Sequence, residues 1–324
     1  MKVLVSGATG LVGSHLVEKI LEKGLKVKAL VRKTSDLSHL KKLKVDLVFG
    51  DLENFKTLKK ATENVDLVYH AAAKILGENF KDFYQTNVIG TENLLKASLE
   101  SGVSRFIFLS TVSVYGSRNI VDGKEELERK ATSHYGRSKV LAEDLVMKYH
   151  FEKNLKVSIA RPRAIYGERD RYYIPSIVKL SEKRIPLISG GKNLWDSIYV
   201  KDLCEALWLM AKKEKANGQA YNVTDGEKRT VFELIHTAQD ILGVERTEMS
   251  IPYSLALGIG ALFELKNLMR RNRDLIFTRS RIKSLCRDRN FNISKVKREL
   301  GFEPKYSLKE GLRRGIGWYK KNKV

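Results

Sequence analysis

The sequence predicts an α/β fold, a doubly wound parallel sheet carrying a smaller, mainly helical domain. Three observations lead there. In Val3-Leu4-Val5-Ser6-Gly7-Ala8-Thr9-Gly10-Leu11-Val12-Gly13 a β-capable run enters a glycine turn, and an apolar-periodic segment from Leu11 to Leu21 follows at helical spacing. Apolar runs at 26–32, 45–52, 65–70 and 106–110 then alternate with helical patterns, the spacing of parallel βαβ units. After Gly167 the composition turns charged and aromatic. The expected division is 1–166 with 196–225 for the sheet domain, and 167–195 with 226–324 for the smaller one.

Each glycine of the opening turn has a physical use. Gly7 turns the chain at the strand end, Gly10 lets the backbone approach a pyrophosphate, and Gly13 lets the helix pack on the strand. The anion sits on the free N–H groups of the helix N-terminus, so Gly7, Thr9, Gly10, Leu11, Val12 and Gly13 are the expected dinucleotide cradle of a Rossmann domain. The G-x-x-G-x-x-G spacing departs from G-x-G-x-x-G. It is the strand before and the helix after that carry the reading.

The second strand, Lys26 to Arg32, bears on which cofactor is bound. An NAD-preferring site places an acid at this strand end for the ribose 2′-OH, whereas arginine accommodates a 2′-phosphate. Here Val31-Arg32-Lys33 offers two cations and no acid, so NADP(H) is expected over NAD(H), with Arg32 on the phosphate; the alternative is that Arg32 stacks on the adenine or is solvated. A third strand runs to Asp51 and Leu52, where Asp51 is placed to cap the adenine amino group. A helix over 55–64 and a fourth strand over 65–70 follow. The small residues Ala71-Ala72-Ala73 then let the backbone lie close to a ligand. A helix over 83–102, with Asn87 and Gly90 along it, leads to a fifth strand, Phe106 to Ser110.

Ser110-Thr111-Val112-Ser113 closes that strand at the sheet edge where such folds place their chemistry. Tyr135-Gly136-Arg137-Ser138-Lys139 opens a helix to about Tyr149, and tyrosine and lysine four apart share a face. Tyr149/Lys153 and Tyr319/Lys323 repeat the spacing outside this context and read as surface pairs.

Together the glycine motif, Ser110-Thr111, Tyr135-x-x-x-Lys139 and Arg161-Pro162-Arg163-Ala164-Ile165-Tyr166-Gly167 resemble the extended short-chain dehydrogenase/reductase superfamily over essentially the whole chain. That superfamily includes NAD-dependent epimerase/dehydratases, dihydroflavonol-reductase-like enzymes and 3β-hydroxysteroid or sterol dehydrogenases. The resemblance implies catalysis by Thr111, Tyr135 and Lys139, with Pro162 beside the cofactor, and a homodimer through the helices that begin near Thr86 and Tyr135. A free tyrosine, with pKa about 10, is a poor base. A neighbouring lysine cation and the positive nicotinamide ring are expected to favour its phenolate.

Composition narrows the function classes. The 324 residues are 43% hydrophobic, enough for a full core, and no apolar run approaches the roughly 20 residues of a spanning helix. The chain enters a strand at once, without a signal-like segment, which sets the expectation of a cytoplasmic protein. Cys204 and Cys286 lie far apart and the six histidines form no ligand-spaced pair, so neither a disulfide nor a metal is expected. The 60 Lys+Arg against 38 Asp+Glu give +22 without any nucleic-acid-binding motif, so the partner is read as a small-molecule substrate and not as nucleic acid.

Past Gly167, the insert over 168–184 is expected to cover the substrate. Ile198 to Leu203 and Ala220 to Val223 resemble segments returning to the main sheet, and from Thr230 the chain reads as helical and basic. The tail from Phe291 to Leu312 is expected to close the smaller domain. Leu255 to Met269 reads as a largely apolar helix, with Lys266, Arg270, Arg271, Arg273, Arg279, Arg281, Lys283, Arg287 and Arg289 at its end and beyond. Either it lies peripherally in a membrane interface or it is the lid of the substrate domain.

Three functions follow: hydride transfer on a hydroxy or keto group of a sterol-like or other apolar substrate, 4-epimerisation of a nucleotide sugar with NAD, and non-catalytic NADP binding. A regulator has no need of Thr111, Tyr135 and Lys139 together. A 4,6-dehydratase is disfavoured by Val112 and Ser113, where those relatives carry an acidic pair. Epimerases often carry an arginine where Trp195 precedes Asp196, leaving Arg163, Arg169 or Arg171 to serve a diphosphate.

Overall fold

The computed structural model describes residues 1–270 and 279–322, without the side chains of 265–270, 280, 281 and 284. Arg271, Arg273 and Lys323 lie outside the described residues, as do the side chains of Leu265, Lys266, Leu268, Met269, Arg270 and Arg281.

The first half alternates strands with helices, except that no α-helix separates β2 from β3: β1 (Lys2–Ser6), α1 (Leu11–Glu22), β2 (Lys26–Val31), β3 (Asp46–Phe49), α2 (Phe55–Thr62), β4 (Leu67–His70), the pair α3 (Phe80–Tyr84) and α4 (Gly90–Glu100), and β5 (Arg105–Leu109). Then come β6 (Ile120–Gly123), α5 (His134–Lys153), β7 (Lys156–Pro162), β8 (Ile165–Tyr166), α6 (Tyr173–Glu182) and β9 (Leu187–Ile188). They lead into β10 (Ile198–Tyr199), α7 (Val200–Lys212) and β11 (Gln219–Val223). The chain closes with α8 (Val231–Leu242), β12 (Ser250–Ile251), α9 (Tyr253–Arg270), α10 (Arg279–Leu285), β13 (Arg289–Phe291), α11 (Ser294–Leu300) and α12 (Leu308–Asn322).

Seven strands form one parallel sheet in the order β11-β7-β5-β4-β1-β2-β3, with the direction of winding reversing beside β1. Central strands are buried on both faces, which is why Val3, Leu4 and Val5 are apolar without alternation. One face carries α1 and α7, joined through Leu16, Ile20, Leu203 and Leu207; the other carries α2, α4 and α5, joined through Leu58, Leu94 and Val146.

Three expectations are corrected. Ile198-Tyr199 does not return to the main sheet: it pairs in parallel with Ile165-Tyr166 in a separate two-stranded sheet, and only β11 joins the main sheet, beside β7. The region after Thr230 is not purely helical, because β12 pairs with β9 and β13 with β6. The helix expected over 83–102 begins at Phe80 and passes through a π turn, Gln85–Ile89, around Asn87. In the tail, α12 lies against α6 and α8, while α11 packs on β11 and α7 of the sheet layer.

No helix among the described residues is long and apolar enough to cross a membrane. Both cysteines are free, and the described residues hold no group of three or more His, Cys, Asp or Glu suited to a metal ion.

Candidate active site

The glycine turn is built against the loop after β4. Gly7 takes φ +70°, and a Cβ there would meet the Ala72 amide nitrogen at 2.7 Å; at Gly13 a Cβ would meet the Gly7 carbonyl at 2.1 Å. Neither position tolerates a side chain, so α1 is seated hard on the strand end. Gly10 caps α1 without any side-chain hydrogen bond, which leaves the first-turn N–H groups of Leu11, Val12 and Gly13 for an anion. A dinucleotide pyrophosphate fits this cradle. The Ala72 N–H donates to Ser6 Oγ (3.3 Å) and the Ala71 N–H to the Ser6 carbonyl (3.3 Å), which holds Ala71-Ala72-Ala73 beside the turn.

Arg32 and Lys33 are exposed at the end of β2. Asp51 is exposed, and its Oδ1 accepts the Glu53 N–H at 3.0 Å. Leu52 is buried against Gly90, where an added Cβ would come within 2.8 Å. Pro162 ends β7 opposite Val223.

Thr111 lies just beyond β5 and caps the short 3-10 turn Val112–Tyr115, its Oγ1 accepting the Ser113 N–H and donating to Ser113 Oγ, both at 3.1 Å. Tyr135 is the second residue of α5, set by the Ser133 cap, whose Oγ accepts the Gly136 N–H at 3.0 Å. One turn on, Lys139 is 1% exposed; its Nζ donates to the Leu109 carbonyl (2.7 Å) and stands 3.9 Å above the Phe108 ring. Burial drives Lys139 down to about 7, with Glu143 opposing.

Burial pushes the Tyr135 phenol up to about 12, so the neutral form is favoured and not the phenolate.

Sequence reasoning missed the polar scaffold behind these residues. The fully buried Glu143, four residues after Lys139, takes Arg161 side-on (Nε to Oε1 3.0 Å, NH2 to Oε2 2.7 Å) and accepts the Ser110 hydroxyl at 2.5 Å. Arg161 also donates to Tyr115 Oη at 2.8 Å, and that hydroxyl donates to Asn222 Oδ1 at 2.9 Å. His70 bridges Ser6 Oγ (2.7 Å) and Thr91 Oγ1 (2.9 Å); burial, then the Lys139 charge, lowers it to about 3, so it is neutral. Asn87 Nδ2 donates to the Lys74 carbonyl and to Ser138 Oγ, both at 3.0 Å, so the π turn is tied to α5 beside Lys139. The available signal for Glu143 was its spacing, four beyond Lys139 on the same helix face.

Of the three cations considered for a diphosphate, Arg169 is held by Glu18 (2.7 and 3.2 Å) and Arg171 faces Asp36 at 3.5 Å. Arg163 lies with its guanidinium 4.0 Å from the centre of the Trp195 ring. A cation therefore covers the tryptophan that had counted against one. An apolar cavity of about 400 Å³ opens between α6, α8, α9 and α10, walled by Leu180, Leu187, Ile235, Ile259, Phe263 and Ile282.

The family model described as the NAD dependent epimerase/dehydratase family matches residues 3–224. The chain is 29% identical to a 2-alkyl-3-oxoalkanoate reductase of Stenotrophomonas maltophilia, over 97% of this chain and 98% of the relative. It is 28% identical to a 3-beta-hydroxysteroid dehydrogenase of Mycolicibacterium neoaurum, over 98% and 91%. The fold superposes on the dTDP-glucose 4,6-dehydratase of Streptomyces venezuelae, solved with NAD bound, with TM-score 0.80, 26% identity and coverage of 100% and 98%.

Proposed function

This chain belongs to the NAD-dependent epimerase/dehydratase family, enzymes of the extended short-chain dehydrogenase type, and on that premise we propose that it reduces a keto group, or oxidises the matching alcohol, on an apolar substrate. The observation that carries the substrate side is the aliphatic cavity, since an apolar body gains by leaving water for it. The names of the reductase and the hydroxysteroid dehydrogenase point the same way.

When bound, the nicotinamide supplies or accepts the hydride. Tyr135, a neutral phenol, passes its proton to the carbonyl oxygen as that oxygen becomes negative, and takes one back in the oxidative direction. Thr111 turns its hydroxyl from Ser113 to the same oxygen. Lys139 holds the nicotinamide ribose and anchors α5 to the β5 strand end. The segments 167–195 and 226–324 act as the substrate-binding part. A homodimer through α4 and α5 is supported by the exposed Leu99 and Leu141 on them.

NADP(H) is preferred over NAD(H), because Arg32 and Lys33 stand where an NAD site carries an acid. Arg32→Ala is expected to weaken NADP binding roughly 10- to 100-fold, about 1.5–3 kcal/mol for one charge-assisted contact, and NAD little. Equal losses in titrations of both cofactors reduce Arg32 to an adenine-stacking residue.

The second reading is nucleotide-sugar 4-epimerisation, favoured by Arg163 over Trp195. Turnover of a nucleotide sugar without net change of cofactor decides for it.

Peripheral membrane contact is supported by α9, which turns Ala256 and Ile259 inward while Leu255 and Leu262 stay exposed. Binding to anionic liposomes is expected at low salt and to weaken steeply as salt is raised. Co-sedimentation without binding at low salt leaves α9 as a lid only.

A further inference from the structure

Arg163 is a half-buried cation, two of whose donors the described residues do not satisfy. Its Nε and NH2 are closed to solvent and have no hydrogen-bond partner. The Trp195 ring beneath it is itself fixed, because Trp195 Nε1 donates to the Tyr173 hydroxyl at 2.6 Å. The nearby carboxylate of Asp196 is fully buried and engaged, accepting Asn290 Nδ2 at 2.9 Å and the Phe291 N–H at 2.6 Å. Arg289 spends donors on the carbonyls of Gly116, Arg118 and Val112, and adds a second positive charge. Burial first, then repulsion from Arg289, pushes Arg163 down to about 9, against the pull of Asp196 and Tyr173.

A guanidinium beside another cation, with two donors closed to solvent and idle, is costly in the free protein and is relieved by an anion. Its place in the fold says where that anion would lie. Ala160 of β7 pairs with Leu109 of β5, so Arg163 leaves the sheet edge next to the segment that begins at Thr111. The chain from Arg163 onto Trp195 continues to Asn193, which lines the aliphatic cavity.

We propose that Arg163, stacked on Trp195, anchors a substrate carboxylate close to the reacting carbon, and that the substrate is an apolar acid whose tail fills the cavity behind α9. One guanidinium matches one negative charge, and its planar fork suits a carboxylate. This assignment rests on the hydride-transfer reading. It adds that the substrate is a keto or hydroxy acid and not a neutral ketone or alcohol.

Decanoate and decanol serve as matched probes, titrated by calorimetry into the full chain with NADP⁺ present, at about 0.5 M salt so that the net charge of +22 is screened. Decanoate is expected to bind at least tenfold tighter than decanol. In Arg163→Gln that preference should vanish, and Arg163→Lys should restore part of it. Equal binding of the two probes by the wild type, no decanoate binding, or a preference that survives Arg163→Gln overturns the proposal, and the wild-type comparison stands even if a variant fails to fold. Arg163-dependent binding of UDP-glucose with no binding of decanoate overturns it too, in favour of a diphosphate. Tyr135→Phe, read by turnover, tests hydride transfer separately and should leave the acid-over-alcohol ratio in place.

Discussion

Tyr135→Phe is expected to cut turnover by about 10²- to 10⁴-fold while leaving cofactor affinity within a few-fold, because only the transferable proton is lost. The ring keeps its place near Phe83, with centroids 6.4 Å apart, and the Ser133 cap that starts α5 is untouched. Lys139→Ala should damage both turnover and cofactor binding, since the ammonium proposed to hold the ribose also grips the Leu109 carbonyl. Following nicotinamide absorbance with an identified substrate, alongside cofactor titration, checks both variants. Near-wild-type turnover by Tyr135→Phe removes Tyr135 from the chemistry.

Glu143→Ala should destabilise the fold by about 3–5 kcal/mol, because it leaves the Arg161 guanidinium buried without its counter-ion. For a chain of this length that corresponds to a drop in Tm of roughly 5–10 °C. The loss should reach the site as well: the carboxylate joins α5 to the Ser110 end of β5 and, through Arg161, to Tyr115 after Thr111. Glu143→Leu combined with Arg161→Met removes both charges and should recover most of the stability but not the activity. A Glu143→Ala protein that melts with the wild type would show that Arg161 finds other partners.

The parallel sheet was legible because its strands are short, apolar and separated by helical patterns, and the proposed catalytic triplet was suggested by a hydroxyl-bearing strand end that precedes Tyr135-x-x-x-Lys139 inside that pattern. The two-residue strands were not. Ile198-Tyr199 looks like any strand re-entering a sheet, and its pairing with Ile165-Tyr166 depends on where the 167–195 insert carries the chain. The π turn at Gln85–Ile89 escaped notice for a related reason: one extra residue in a helix barely disturbs its apolar period.

By itself the sequence determined the sheet, the glycine cradle and the residues expected at the reacting centre, all of which rest on local spacing along one strand, turn or helix. Tertiary structure alone decided the charge states and partners. Tyr135 is raised by burial, because desolvation depends on everything packed around a group. Trp195 read as a lost cation until the fold laid Arg163 across it, since a contact between residues 32 positions apart has no signature in either segment.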